Sequence, residues 1–245
     1  MKKILNILLV IFACSVLVAC VGEKKSETAS KIYVGTNAEF APFEYLEKDE
    51  IVGFDIDLLK AAAEEMNLEI EIKDMSFDGL LPALQAKKVD MIIAGMTATP
   101  EREKHVAFSN PYFQAKQVIV TDKNSSIKSF KDLVGKKVGV VLGFTGDAVV
   151  SEMSNVNIER YNSAYAAMLG LDQQKIDAVV LDTEPAKKYT SNYENMIVID
   201  SDAAEEDYAI AVRKEDKDLL DKLNSALDTL KSNGKYDEIF DKYFK

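Results

Sequence analysis

The chain has 245 residues, of which 47% are hydrophobic and 29% are charged, and its formal net charge is −11. This length and composition fit one large domain or two modest ones with a buried core. The acidic balance argues against a nucleic-acid partner, because phosphate binding depends on clustered Lys and Arg. One histidine and two cysteines are too few for a typical transition-metal site, so we expect no metal and no cofactor.

Residues 1–19 have the pattern of a signal peptide. Two lysines at positions 2 and 3 precede an apolar run over 4–18, which is too short and too weakly flanked to predict a transmembrane helix. The run ends in Leu17-Val18-Ala19-Cys20, which resembles the lipobox of bacterial lipoproteins, where cleavage precedes a lipidated cysteine. We expect lipid on Cys20 and a flexible polar tether over 20–30. Ordinary secretion with cleavage elsewhere is the alternative.

The first half of the remaining chain alternates short strands with helices. Asp55 is the expected N-cap of the first helix, whose apolar face includes Ile56, Leu59 and Met66. Pro82 is expected in the first turn of the second helix, where proline is tolerated. The expected strands are 32–35, 68–72 and 89–94, and the second helix covers 80–87.

The second half repeats this alternation, which is typical of parallel sheets covered by helices on both faces. The expected strands are 137–142, 157–161, 177–181 and 196–200. One expected helix follows the turn at 143–146 and ends at 153, and a second covers 163–174. Two extended segments, Gln117–Thr121 and Tyr208–Val212, lie between the halves. If both cross between lobes, lobe 1 comprises 31–116 with 209–245 and lobe 2 comprises 117–208. A helix over 216–230 and a turn over 236–240 then pack on lobe 1.

Polar and aromatic side chains follow several of these strands, at the sheet edge where α/β proteins bind ligands. Thr99 and Pro100 have the pattern of N-cap and N1 of a short helix that carries Arg102. A positively charged guanidinium is unfavourable in the first turn of a helix, where the helix dipole is positive. A bound anionic ligand would explain an arginine at this position. A solvated Arg102 that pairs with Glu101 or Glu103 is an equally good interpretation of this segment alone.

Other groups suited to a zwitterion lie on neighbouring loops. Gly143-Phe144-Thr145-Gly146 offers backbone N–H groups and a hydroxyl at a helix start. Asp182 ends a buried strand, where its carboxylate could bind an ammonium or simply cap the next helix. Phe40 and Phe77 could flank a ligand side chain or stack on a cation, although core packing explains a single Phe more often.

Several long segments in the same order resemble the polar amino-acid-binding proteins of ABC importers, which include glutamine-, histidine-, lysine- and arginine-binding members. The resemblance covers essentially the whole chain after the tether and is carried by residues 35–45, 52–58, 77–85, 90–97, 143–146 and 177–182, together with Arg102. It implies a two-lobe α/β fold of the type II periplasmic-binding-protein kind, with mostly parallel sheets flanked by helices and two crossover strands as a hinge.

The resemblance also implies roles at matching positions. Arg102 would hold the ligand α-carboxylate, assisted by Thr97 and Thr145, and Asp182 and the Gly95 carbonyl would bind the α-ammonium. The side-chain pocket would be lined by Phe40 and Phe77 and would end near Asn37, where some relatives carry Asp. Because Asn37 lacks that acid, lysine is a weaker candidate, and arginine and glutamine are favoured. The remaining expected ligand-binding residues are Met96, Val141 and Gly146.

The expected function is therefore that of a lipid-anchored, extracytoplasmic and monomeric protein that delivers a free L-amino acid to an ABC permease. Two alternatives use the same fold. One is a dehydratase-like enzyme acting on prephenate or arogenate. A Ser-His-Asp or Cys-His nucleophile system would have to use His105, the only histidine, and its position in a charged run favours a surface residue. A sensory or adhesive lipoprotein is the other, and the chain carries no second module that would support it.

Overall fold

The computed structural model describes residues 31–200, 203 and 205–245. The signal peptide, the lipidation site Cys20 and the tether predicted from the sequence lie outside the described residues. Over the described ranges, no helix combines the length and the apolar character that a membrane crossing requires.

Strands and helices alternate along the chain, as the sequence pattern predicts. The strands are β1 (Lys31–Thr36), β2 (Glu39–Phe40), β3 (Glu44–Glu47), β4 (Glu50–Val52), β5 (Glu69–Asp74), β6 (Met91–Ile92), β7 (Ala107–Phe108), β8 (Phe113–Asp122), β9 (Lys137–Val141), β10 (Asn157–Tyr161), β11 (Ala178–Asp182), β12 (Met196–Ile199), β13 (Glu205–Tyr208) and β14 (Ala211–Val212). The helices are α1 (Phe54–Glu65), α2 (Phe77–Gln85), α3 (Pro100–Glu103), α4 (Thr145–Ser151), α5 (Ala164–Asp172), α6 (Thr183–Thr190), α7 (Lys217–Ser232) and α8 (Lys235–Phe244), with a 3₁₀ turn over Phe130–Leu133.

Two mixed sheets form the framework. The first has the strand order β5-β1-β6-β14-β7, in which β1 runs parallel to β5 and β6 while β14 runs antiparallel to β6 and β7. The second has the order β10-β9-β11-β8-β12, in which β9 is parallel to β10 and β11 while β8 is antiparallel to β11 and β12. Helices flank both sheets, which agrees with the expected α/β class of two-lobe binding proteins.

Strands β8 and β13 connect the two sheets. The first half of β8 pairs antiparallel with β13, from Phe113 opposite Tyr208 to Lys116 opposite Glu205, and its second half belongs to the second sheet. Strand β13 leads into β14 of the first sheet. Two adjacent crossing strands of this kind restrict the relative motion of two lobes to a hinge.

An aromatic cluster lies where the crossing strands meet the first sheet. Phe43 and Phe54 are fully buried and contact each other edge-to-face at 6.1 Å between ring centroids. Phe43 also contacts Phe113 of β8 at 4.8 Å and Tyr208 of β13 at 5.2 Å. Each such ring contributes about 1.5–3 kcal/mol through burial. The cluster therefore fixes the base of the hinge on the first lobe.

Four local predictions were wrong. Helix α1 begins at Phe54, so Asp55 is a buried first-turn residue and not its N-cap, which is Gly53. Helix α2 begins at Phe77 rather than 80, so Pro82 lies inside it, beyond the first turn. The expected strand over 89–94 is paired only at Met91–Ile92. The expected turn over 236–240 belongs to helix α8, which packs on α1 and α7.

Candidate functional site

Three loops at the carboxyl ends of strands converge on the cleft between the sheets. The segment after β6 carries Gly95 and Thr97 and leads into α3 with Arg102, the turn after β9 leads into α4 at Thr145, and Asp182 is the last residue of β11. These loops also meet the crossing strands, because Thr97 bridges to Tyr208 at the end of β13. Topology thus brings groups that are far apart in sequence to one place, as expected at the strand ends of α/β sheets.

Arg102 spans the cleft. Thr99 caps α3 and its Oγ1 accepts the Arg102 backbone N–H at 3.3 Å, as the Thr99-Pro100 pattern predicts. The Arg102 guanidinium donates to the Thr97 carbonyl at 2.8 Å and, across the cleft, to the Gly143 carbonyl at 2.9 Å. Glu101, the alternative partner of Arg102, pairs instead with Lys104.

The environment of this guanidinium combines burial with negative charge. Burial lowers the pKa of Arg102, while the nearby carboxylates of Asp182 and Glu206 raise it. An arginine remains a cation under these conditions. Its Cζ lies 5.2 Å from the centroid of the Phe77 ring, which is within cation–π distance. Arg102 is therefore a charged, largely enclosed group that faces two acids.

Asp182 is a buried acid at the carboxyl end of β11, in the second sheet. Its side chain is only 4% exposed, and its Oδ1 accepts hydrogen bonds from Gln117 Nε2 at 2.9 Å and the Tyr208 hydroxyl at 2.7 Å. Burial and, to a smaller extent, the neighbouring charge of Glu206 raise the pKa of Asp182 to about 7, against the opposing effect of these two donors. Although Asp182 precedes α6, its carboxylate makes no capping hydrogen bond there.

Glu206 of β13 is a second carboxylate in the same place. Its Oε2 accepts a hydrogen bond from Thr97 Oγ1 at 2.9 Å and from Gln117 Nε2 at 3.4 Å. Thr145 Oγ1 donates in turn to Thr97 Oγ1 at 3.0 Å, so hydroxyls from both lobes lead to this acid. Burial raises the pKa of Glu206, whereas its hydrogen bonds and the Arg102 charge lower it.

Three phenylalanine rings close the other end of the site. Phe144 contacts Phe40 edge-to-face at 5.2 Å and Phe77 at 4.6 Å, and all three rings are buried. Together with backbone and polar groups they enclose a cavity of about 10 Å³, lined by Phe40, Phe77, Ala94, Gly95, Phe144, Thr145 and Asp182. This volume holds about one water molecule. An amino acid therefore enters only when the two sides of the cleft separate.

Gly95 has a backbone conformation that its neighbours enforce. Its φ is +51°, and a Cβ at this position would lie 2.6 Å from the Phe40 ring. The Gly95 N–H donates to Asp55 Oδ2 at 2.8 Å, and the Tyr112 hydroxyl donates to the same oxygen at 2.7 Å. Burial raises the pKa of Asp55 to about 6, and burial next to Asp55 raises that of Glu44 well above its usual value. This buried acidic pair fixes the loop that carries Gly95.

The other predicted site residues lie around the cavity without lining it. Asn37 is 9% exposed and its Nδ2 donates to the Met75 carbonyl at 3.1 Å. Met96 and Val141 are buried in the core at 0% and 2% exposure. Gly146 packs against the strand beneath it, where a Cβ would lie 3.0 Å from a backbone carbonyl oxygen.

The sequence analysis did not single out four residues that the cleft contains, namely Gln117, Phe144, Glu206 and Tyr208. Phe144 lies in the glycine-containing turn that the sequence predicts to be a ligand loop. An aromatic side chain in that turn is the one sequence signal that could have identified it as a site residue. The other three belong to the crossing strands, and only the pairing of those strands shows that their side chains point into the cleft.

The described part of the chain contains no group of three or more His, Cys, Asp or Glu side chains arranged to hold a metal ion. His105 is exposed, follows the C-terminal end of α3, and its Nε2 lies 4.0 Å from Glu101 Oε1. The cleft brings together the guanidinium of Arg102, two carboxylates, two threonine hydroxyls, the amide of Gln117, the phenol of Tyr208 and three phenylalanine rings.

Comparison with known proteins identifies the relatives of this chain. The model of the bacterial extracellular solute-binding proteins, family 3, matches residues 32–245. The arginine-binding extracellular protein ArtP of Bacillus subtilis (strain 168) is 39% identical over 253 residues, which cover 100% of this chain and 98% of that protein. These matches concern binding proteins and give no support to the dehydratase alternative.

Solved structures give the same result. The arginine-, lysine-, histidine-binding protein ArtJ of Geobacillus stearothermophilus superposes with a TM-score of 0.84 at 38% identity, covering 88% of this chain and 95% of that one. An ancestral arginine-binding protein bound to glutamine superposes with a TM-score of 0.84 at 43% identity, covering 87% of this chain and 97% of that one.

Proposed function

Because the chain belongs to the bacterial extracellular solute-binding proteins of family 3, we propose that it binds a polar or cationic L-amino acid, with arginine favoured over glutamine, and delivers it to an ABC importer. The observation that carries this proposal is the pair Arg102 and Asp182. They come from different sheets, face one cleft and are close enough for their charges to interact. Opposite charges held apart in an enclosed site suit the two ends of a zwitterion.

In this proposal Arg102 binds the α-carboxylate, with help from Thr97 and Thr145, and Asp182 binds the α-ammonium together with the Gly95 carbonyl. The hydrogen bond from Thr145 to Thr97 supports the assignment of both hydroxyls to the α-carboxylate, because it holds them next to each other near Arg102. Binding requires an ionised Asp182, and the ammonium of the ligand stabilises that form.

The side chain of the ligand lies between Phe40 and Phe77 in this proposal, with Asn37 near its end. Planar, weakly hydrated guanidinium groups stack on aromatic faces, which favours arginine. Charge favours arginine as well, since the cleft contains one cation and two carboxylates, Asp182 and Glu206, so that a cationic side chain restores neutrality. ArtP is named as an arginine-binding protein and ArtJ as an arginine-, lysine- and histidine-binding one, and the ancestral relative bound to glutamine supports glutamine as the second candidate.

A thermal-shift screen of the twenty L-amino acids on the purified protein tests this function, because a ligand of the native state raises the melting temperature. We expect L-arginine to give the largest shift. The shift should disappear in Arg102→Ala and persist in the control Arg160→Ala, which removes a partly exposed guanidinium from its pair with the buried Asp147. A screen in which no amino acid shifts the transition would reject the proposal.

Delivery to a permease is tested separately, by uptake of labelled arginine in a strain that lacks this gene. We expect uptake to fall and to recover when the wild-type gene is restored. Normal uptake combined with lost chemotaxis or adhesion would favour the sensory alternative.

We further propose that 1–19 is cleaved as a signal peptide, that Cys20 is lipidated and that 20–30 tethers a monomer outside the cytoplasm. The support is the Leu17-Val18-Ala19-Cys20 pattern and a family of extracellular proteins. Cys20→Ser should move the protein from the detergent phase to the aqueous phase in detergent partition. Retention of the variant in the detergent phase would refute lipidation at this residue.

The lobes that close on the ligand are, in this proposal, 31–116 with 209–245 and 117–208. Their support is the membership of the two sheets, since β8 and β13 are the strands shared between them. Ligand that binds to one lobe would be enclosed when the other rotates about these strands.

A further inference from the structure

The cleft contains an acidic side chain to which the proposed function gives a charge but no contact with the ligand. Glu206 is half-buried, lies on crossing strand β13 and directs its carboxylate into the site. Its neighbours on β13, Glu205 and Asp207, are exposed. One carboxylate of a solvated acidic run is therefore turned inward, where burial opposes its charge.

Three of the groups around Glu206 are those that the proposed function assigns to the ligand α-carboxylate, and a fourth, Gln117, donates to both Glu206 and Asp182. Its Oε2 accepts the Thr97 hydroxyl at 2.9 Å, and the charge of Arg102 attracts it. Thr145 joins the same network through Thr97. A carboxylate only accepts hydrogen bonds, so two carboxylates cannot both use these donors, and their like charges repel.

We propose that the Glu206 carboxylate is an internal occupant of the α-carboxylate subsite and that an amino acid binds by displacing it. This inference rests on the proposed function and adds a residue that sets affinity and selectivity. The ligand exchanges one carboxylate for another at the Thr97 hydroxyl and beside the positive charge of Arg102, so the net gain from these interactions is smaller than in an open subsite.

The packing of the cleft supports displacement. The cavity has a volume of about 10 Å³, whereas ligand pockets measure roughly 300–1,000 Å³. At the side-chain end, Phe144 stands between Phe40 and Phe77, in the position proposed for the ligand side chain. Protein groups thus fill both ends of the cleft, and both must move for an amino acid to enter.

Displacement gives selectivity for compounds that carry a carboxylate. A cationic amine without that group cannot compete with Glu206 for Arg102 and Thr97, so it must bind with Glu206 in place. An α-amino acid supplies the anion that Glu206 otherwise provides. The variant Glu206→Gln keeps the shape and one acceptor oxygen of the side chain but removes the charge that holds it to Arg102.

The test compares L-arginine with agmatine, its analogue without the carboxylate, by titration calorimetry on the wild type, Glu206→Gln and the control Glu205→Gln. We expect Glu206→Gln to bind L-arginine about tenfold more tightly than the wild type, which corresponds to the free energy of about one charge-assisted hydrogen bond. Agmatine binding should not tighten, and the control should match the wild type for both compounds. Removal of a negative charge alone would weaken the binding of a cation, so the direction of the change is diagnostic.

Unchanged or weaker L-arginine binding by Glu206→Gln would overturn the inference, and so would an equal gain for agmatine. Melting curves verify folding, and if Glu206→Gln does not fold, Glu206→Asp, whose shorter carboxylate reaches the subsite less well, is measured against the same expectations. If the wild type binds none of the amino acids, the proposed function fails and this inference with it. If the wild type binds L-arginine and the variants gain nothing, only this inference fails.

Discussion

Replacement of Asp182 by asparagine should weaken ligand binding and strengthen the fold. The loss of affinity follows from the unpaired ammonium of the ligand, since removing one member of a buried charged pair costs about 2–5 kcal/mol. This corresponds to a decrease in affinity of roughly 30-fold to several thousand-fold. The Asn Oδ1 still accepts hydrogen bonds from Gln117 or Tyr208, so the local structure should persist.

The gain in stability follows from the pKa of Asp182. Its folded value of about 7 exceeds the ordinary aspartate value of about 3.9, so the ionised carboxylate destabilises the native state above pH 7. The difference corresponds to an upper bound of about 4 kcal/mol of unfolding free energy for this 4%-exposed group. The penalty decreases as the pH falls from 7 towards 4, because the native carboxyl becomes protonated.

Urea unfolding at pH 8 and pH 5 together with calorimetry at pH 8 measures both effects. We expect Asp182→Asn to be about 1–4 kcal/mol more stable than the wild type at pH 8, to lose most of that advantage at pH 5 and to bind L-arginine far more weakly. The control Asp172→Asn, at an exposed aspartate, should change neither property. A variant that is less stable at pH 8, or that retains wild-type affinity, would refute this reasoning.

Three further predictions concern the same cleft. Arg102→Lys should weaken L-arginine binding by roughly tenfold or more in calorimetry, because an ammonium cannot hold the Gly143 carbonyl and a carboxylate in one planar fork; equal affinity would contradict this. Gly95→Ala should lower the free energy of urea unfolding by about 1–3 kcal/mol, since φ is +51° and the new Cβ meets Phe40; unchanged stability would show that the loop relaxes freely. L-arginine affinity should fall roughly 30-fold between pH 8 and pH 5.5, as protonation of Asp182 removes the partner of the ammonium; a flat calorimetric profile would exclude this role.

Much of the fold follows from local sequence patterns. The strand over 157–161 and the Thr99-Pro100 helix start agree with the structure, because alternation and capping residues are local signals. Asp55 shows the limit of that approach. Its position before an apolar helical face suggests a cap, whereas the folded chain uses its carboxylate to hold Gly95 and Tyr112, which are 40 and 57 residues away.

The wrong predictions for helices α2 and α8 have a similar cause. Pro82 suggests a helix start, but α2 continues through it, because the five residues from Phe77 to Leu81 precede it in helical conformation. The segment over 235–244 has aromatic residues at helical spacing, and these pack against Phe54 as α8. Tertiary packing decides both cases, and no short window of sequence contains it.

For the site, the sequence identified residues at strand ends but not those on the crossing strands. Arg102 and Asp182 stand out because a charge at such a position is unusual. Glu206, by contrast, belongs to an acidic run in which its two neighbours are exposed, and only the pairing of β13 with β8 turns it into the cleft. Gln117 is directed towards Asp182 by the pairing of β8 with β11. Such information resides in strand register rather than in residue type.

The most direct test of the account is a crystal structure of the protein grown with L-arginine. The account predicts one ligand in the cleft, with its carboxylate within hydrogen-bond distance of the Arg102 guanidinium and its ammonium within the same distance of the Asp182 carboxylate. A ligand bound in the reverse orientation, or outside the cleft with the contacts of Arg102 unchanged, would contradict it.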